Sequence, residues 1–139
     1  MSNENANVAI LKHAYARWHE TKGGSEDEFF AFLDDNISFG SIPRGQEPLA
    51  FAKQYNSKQA LRSYFDSLLS EWSMVHYTID DYIAQGDTVA ARGSCAWTNK
   101  KTGKTVDTPK VDIWRFKDGK ATEFFEYFDT AQVMAAAMP

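Results

Sequence analysis

The 139 residues predict an α+β fold in which a curved antiparallel sheet packs against helices, and three observations lead there. Apolar residues in the first half recur at helical spacing. After Trp72 the period becomes the two-residue alternation of strands. Three turn signals then divide the second half: Gly86-Asp87, residues 99–104 with Gly103, and Asp118-Gly119. The length suits a single domain over residues 1–139.

Each element has its own signal. Val8, Leu11, Tyr15 and Trp18 step by three and four, so a first helix runs to the Gly23-Gly24 stop. Ser25 and Glu28 have the spacing of a capping box before Phe29, Phe32 and Leu33, which predicts a short second helix. Residues 36–40 alternate, with Ile37 and Phe39 on one side, and form a short strand. Pro43, Gly45 and Pro48 break the chain after it. Leu61, Tyr64, Phe65, Leu68, Leu69 and Trp72 trace a third helix that Asn56 or Ser57 can cap. Strands over 74–84, 88–98, 106–116 and 121–128 follow as a meander, with Pro109 marking an edge or a bulge. Asp129 or Thr130 caps a closing helix through Ala137.

Composition narrows the function classes. Fifteen basic against nineteen acidic residues give a net charge of −4, which offers no field for nucleic acid. No apolar run approaches a membrane span, and the first ten residues lack the pattern of a signal peptide. One cysteine, Cys95, and three histidines cannot assemble a Cys/His zinc set or an internal disulfide. A cytoplasmic protein that uses no metal or organic cofactor is the expectation. The aromatic content, 14%, is high enough that the rings must fill a core, line a cavity or cover a partner.

Alternation selects the polar candidates. Asp112, Trp114 and Phe116 share one face of their strand, with Val111 and Ile113 on the other. A buried Asp112 would be protonated, as a hydrogen-bond donor, or need an arginine partner, and Arg92 is the expected one. Arg92 shares its face with Ala90, Ser94 and Ala96, small residues that would leave room for a ligand. Glu126 lies between Phe124 and Phe128 on one face, a carboxylate among rings suited to acid–base work. His76 is a candidate base, set against the plain reading of a hydrogen-bonded strand histidine. Tyr15 and Trp18 are expected to wall the cavity or fill the core, and His13, His19 and Cys95 read as structural. Apolar residues on both sheet faces point to a homodimer through the outer one.

The closing segment VDIWRFKDGKATEFFEYFDTAQVMAAAM and the hairpin QGDTVAAR resemble the SnoaL-like and ketosteroid isomerase-like branch of the nuclear transport factor 2-like superfamily. The resemblance implies a cystatin-like conical α+β barrel, its strongly curved antiparallel sheet wrapped around N-terminal helices and a deep apolar pocket. It also implies a dimer. Asp112 matches the isomerase acid that donates a hydrogen bond to the developing enolate, a carboxylic acid kept neutral by its apolar surroundings. Gly40 stands where that family's base belongs, and Tyr15 is the nearest phenol to the family's tyrosine. Arg92 and Glu126 match two members of the Asp-Arg-Asp set of limonene epoxide hydrolases, with Ser94 in place of the third. Trp114 replaces the pocket histidine of SnoaL-like cyclases, and Asp129 resembles their acid. Residues 42–55 would form a lid carrying Phe51 or Tyr55 to the ligand.

The expected function is binding of one small, apolar, oxygenated ligand, with isomerase, cyclase or hydrolase chemistry. Catalytic candidates are Asp112, Glu126, Arg92 and His76; binding candidates are Tyr15, Trp18, Tyr55, Ser94, Trp114, Phe124 and Phe128. The alternative is a non-catalytic ligand-binding or dimeric interaction module.

Overall fold

The computed structural model describes residues 3–139. Helix α1 (Asn3–Glu20) and the short α2 (Glu26–Phe30) lead into β1 (Leu33–Ser41), and α3 (Lys58–Glu71) leads into β2 (Trp72–Gln85). Strands β3 (Thr88–Asn99), β4 (Thr105–Lys117) and β5 (Lys120–Phe128) and helix α4 (Thr130–Ala137) complete the chain. The sheet order is β1-β5-β4-β3-β2, with the last four strands antiparallel and β1 parallel to β5. The expected antiparallel sheet is thus a mixed one. The excursion through residues 42–57 and α3 separates β1 from the meander, which lets β1 add to the β5 edge in the parallel sense.

Local chemistry accounts for the boundaries. Asp118 and Gly119 both have positive φ, 51° and 81°, the backbone of a two-residue hairpin between Lys117 and Lys120. The Ser57 hydroxyl accepts from the Ala60 N–H at the start of α3, and Asp129 accepts from the Gln132 N–H at the start of α4. The Ser25 capping box does not form. Glu28 turns instead to His13, at 2.7 Å, and Arg17, at 3.1 Å, because α1 passes beside α2 and presents both side chains. Pro109 sits one residue beyond the last β4–β5 pair, Lys110 with Phe128, so β4 has a local edge there.

Helices α1 and α3 pack on the inner face of the sheet, α1 chiefly over β2 and α3 over β1. Residues 42–55 are anchored on the core through Leu49 and Ala52, both fully buried, and through Phe51 and Tyr55, while the side chains between them are largely exposed. Tyr55 exchanges backbone hydrogen bonds with Phe39, at 2.9 and 2.8 Å, and thereby ties this segment to β1.

Irregular pairing bends the sheet and resets its faces. Trp72 and Met74 point inward, and simple alternation would carry His76 with them. A bulge between Met74 and His76 inserts one residue, so Tyr77 turns inward and His76 outward. The Tyr77 N–H is received by His19 Nδ1 at 3.0 Å, a bond that requires the proton of a neutral His19 ring to sit on Nε2.

Candidate active site

The inner face of the sheet and the helices above it enclose a cavity of about 90 Å³. That is several times what one water needs. Its walls are mostly rings: Tyr15 and Trp18 from α1, Phe39 from β1, Phe51 from the connecting segment, Tyr64 and Phe65 from α3, and Trp97, Trp114, Phe124 and Phe128 from the sheet. Helix α4 adds Val133.

The polar groups lining this cavity include Lys110 and Asp112 on β4, Glu126 on β5, and the hydroxyls of Tyr15, Tyr64 and Tyr77; Thr108 and Cys95 line it too. Lys110, Asp112 and Glu126 are 6%, 0% and 4% exposed, so these three charges stand in an apolar interior. β4 places Lys110 and Asp112 two residues apart on one face, and the β4–β5 register sets Asp112 opposite Glu126.

The direction of each hydrogen bond follows from groups that can only donate. Trp114 Nε1 donates to the Tyr15 hydroxyl oxygen at 2.9 Å, so the Tyr15 proton goes to Asp112 Oδ2. The Lys110 ammonium donates to the Tyr77 hydroxyl oxygen, and Tyr77 in turn donates to the same Oδ2 at 3.3 Å. Lys110 Nζ also lies 3.0 Å from Asp112 Oδ1 as an ion pair, although that oxygen has no well-aligned hydrogen bond. Both Asp112 oxygens therefore face donors. Asp112 is a carboxylate held by two phenols and an ammonium, which corrects the expectation that it is a neutral acid donating to a ligand.

Glu126 is less fully engaged. The Tyr64 hydroxyl lies 3.1 and 3.0 Å from its two oxygens, and Lys110 Nζ is 3.9 Å from Oε1, beyond hydrogen-bond reach. Burial pushes the Glu126 carboxyl above its ordinary value; Lys110 opposes the shift and Asp112 adds to it. Burial alone would pull Lys110 down, but Asp112 and Glu126 together hold it well above the usual lysine value. Burial, and then the neighbouring carboxylates, push Tyr15, Tyr64 and Tyr77 well above the usual phenol value. The arrangement is one buried ion pair, Lys110 with Asp112, beside a second, less fully engaged carboxylate.

Several expected site residues lie elsewhere. Arg92 points to the outer face and pairs with Asp81, because β3 turns Val89, Ala91, Cys95 and Trp97 inward. Ser94 shares that outer parity and is also outside the cavity. His76, re-aimed by the bulge, lies 3.4 Å from Asp107 on the outer side. Tyr55 is buried but does not line the cavity, since its hydroxyl donates to the Phe51 carbonyl at 2.7 Å. Asp129 serves as the α4 cap. A Cβ on Gly40 would meet the Phe125 ring at 2.8 Å and Gln54 Oε1 at 2.7 Å. The inward residues of that strand end are Phe39 and Ser41, the latter in register with Glu126.

Tyr15, Trp18, Asp112, Trp114, Phe124, Glu126 and Phe128 do line one cavity. Lys110 and Tyr77 join them unforeseen. Counting back two from Asp112 would have found Lys110; nothing short of the bulge would have found Tyr77. Among the described residues no group of three or more His, Cys, Asp or Glu side chains is placed to hold a metal ion. No helix among them is long and apolar enough to cross a membrane.

The SnoaL-like domain family matches residues 12–124. A crystal structure of an NTF2-like protein from Burkholderia thailandensis is similar with a TM-score of 0.80 at 25% identity, over 96% of this chain and 96% of that one. A protein from Catenulispora acidiphila with a ketosteroid isomerase-like fold, in complex with trimethylamine, has a TM-score of 0.73 at 14% identity, over 94% and 93%. TerC co-crystallized with polyporic acid has a TM-score of 0.75 at 19% identity, over 94% and 97%. No curated protein matches the chain.

Proposed function

Since the chain belongs to the SnoaL-like domain family, we propose that its aromatic cavity takes one small, apolar, oxygenated ligand and that Glu126 moves a proton on it. The observation carrying this reading is Glu126 itself, a carboxylate 4% exposed at the wall of a cavity of rings. Burial raises its proton affinity above that of an ordinary carboxyl, the direction that suits a side chain to taking up a proton. Lys110 supplies positive charge beside it, where negative charge would develop on a ligand oxygen. TerC, whose fold is similar, was co-crystallized with polyporic acid, which supports reading this fold as one that takes a small organic ligand.

The placement of Arg92 narrows the chemistry. With the guanidinium on the outer face there is no cation of the epoxide-hydrolase kind, so proton transfer within an isomerase or cyclase reaction fits better than hydrolysis. A thermal-shift screen of small apolar oxygenated compounds, phenols and enols among them, is expected to find compounds that raise Tm. Glu126→Gln should fold with a Tm no lower than the parent, since it removes a buried charge. It should reduce turnover of any hit by about 100-fold or more. Equal turnover by Glu126→Gln would sink the acid–base assignment, and binding without turnover in the parent would leave a non-catalytic ligand carrier.

A further inference from the structure

Lys110 and Glu126 leave between them a gap of unusual chemistry. Lys110 Nζ has three N–H donors; Tyr77 takes one and Asp112 Oδ1 faces a second. The third has no hydrogen-bond partner among the described residues, since Glu126 Oε1 at 3.9 Å is too far. Glu126 keeps acceptor capacity, because one Tyr64 proton is shared between its two oxygens. A span of 3.9 Å is too long for a direct bond and short enough for one oxygen atom to bond to both ends.

We propose that Lys110 and Glu126 form a clamp for a single ligand hydroxyl on a planar aromatic or enolic compound, the ligand oxygen accepting from Lys110 Nζ and its proton going toward Glu126. This rests on the reading of the cavity as a site for an oxygenated ligand and names the ligand class and a specificity residue, Lys110. Three features select that class. The partner oxygen must both donate and accept, which a ketone, an ether or an ester cannot do. An ionised carboxylate ligand would meet Asp112 and Glu126 with one ammonium to balance them. The flanking Trp114, Phe124, Phe39 and Phe65 present ring surfaces suited to a flat partner. Asp112 acts through Lys110 as a positioning residue, anchoring the ammonium with the two phenols.

The test compares β-naphthol with its methyl ether and with naphthalene, by fluorescence titration and thermal shift on the whole chain. β-Naphthol should bind at least about 100-fold more tightly than the ether, because the ether has no proton to give Glu126 and its methyl group stands where that hydrogen bond would run. In the double variant Lys110→Met/Asp112→Asn, which removes the buried pair together and avoids a stranded charge, that ratio should fall by about tenfold or more. Equal affinity of wild type for the naphthol and its ether overturns the clamp while the cavity reading stands. If none of the three probes binds or raises Tm, the cavity reading falls for this ligand size and the clamp with it. A folded double variant that keeps the full ratio overturns the role of Lys110; should the variant not fold, the wild-type ratio alone decides.

Discussion

At the scale of single residues, the buried phenols and thiol make stability depend on alkaline pH in a defined direction. Burial pushes Cys95 from 9.0 up to about 11, and Tyr15, Tyr64 and Tyr77 are all raised. Each of these groups is harder to ionise in the fold than in the unfolded chain, so unfolding releases protons once the pH passes the unfolded value. Their contribution is complete below pH 9 and is lost as pH rises toward the folded values. The expected result is a urea midpoint constant from pH 7 to 9, with stability then falling by up to about 1.4 kcal/mol per pH unit for each group that titrates. Cys95→Ala should delay the onset to the tyrosine range, and a midpoint flat to pH 11 would contradict the assignment. The residues of this network were unequally visible in the sequence. Glu126, Asp112 and Trp114 follow from parity on β4 and β5, whereas Lys110 was hidden by the general rule that lysines stay in water unless paired. Its pairing depends on Asp112, Glu126 and Tyr77, which come from three strands.

At the scale of elements, β2 and β3 show how a sheet aims its side chains. The two register shifts in β2, between Met74 and His76 and between Ile79 and Asp81, each reset which residues point inward. Opposite the second shift stands Gly93, where a Cβ would lie 1.8 Å from the Thr78 carbonyl oxygen and 2.8 Å from Ile79 Cα. Both contacts are with backbone, so no side-chain rotation can relieve them. Gly93→Ala should therefore cost about 3 kcal/mol or more, a fall in Tm of roughly 10 °C, measured by thermal unfolding; an unchanged Tm would show that the bulge accommodates a methyl group. Helix spans were legible from periodicity because one apolar stripe suffices to define a helix, and Ser57 and Asp129 cap as their types predict. Bulges leave no comparable trace. Arg92 and Ser94 fell on the wrong face because the small residues beside them suggested a roomy interior, while the apolar set Val89, Ala91, Cys95 and Trp97 is the one buried.

At the scale of the whole molecule, the outer face of the sheet carries apolar residues in direct register. Val111 pairs with Tyr127 and Ile113 with Phe125, and Tyr127 is 45% exposed. A contiguous patch of this kind on a solvent-facing sheet supports the homodimer expected from the sequence. Sedimentation at micromolar concentration should give twice 15.7 kDa, and Ile113→Glu should return the mass to that of one chain; a wild-type monomer would remove the proposal. The order of helices and strands, the aromatic lining and two of the three buried charges were already written in residue types and their spacing, because periodicity is a property of neighbours along the chain. The mixed sheet, the inward turn of Tyr77, the outward turn of Arg92 and His76, and the conversion of Asp112 from a donor into the acceptor of a Lys110 ion pair arose on folding. They depend on strand register and on the meeting of residues far apart in sequence, and a shift of one residue in register exchanges the two faces of a strand.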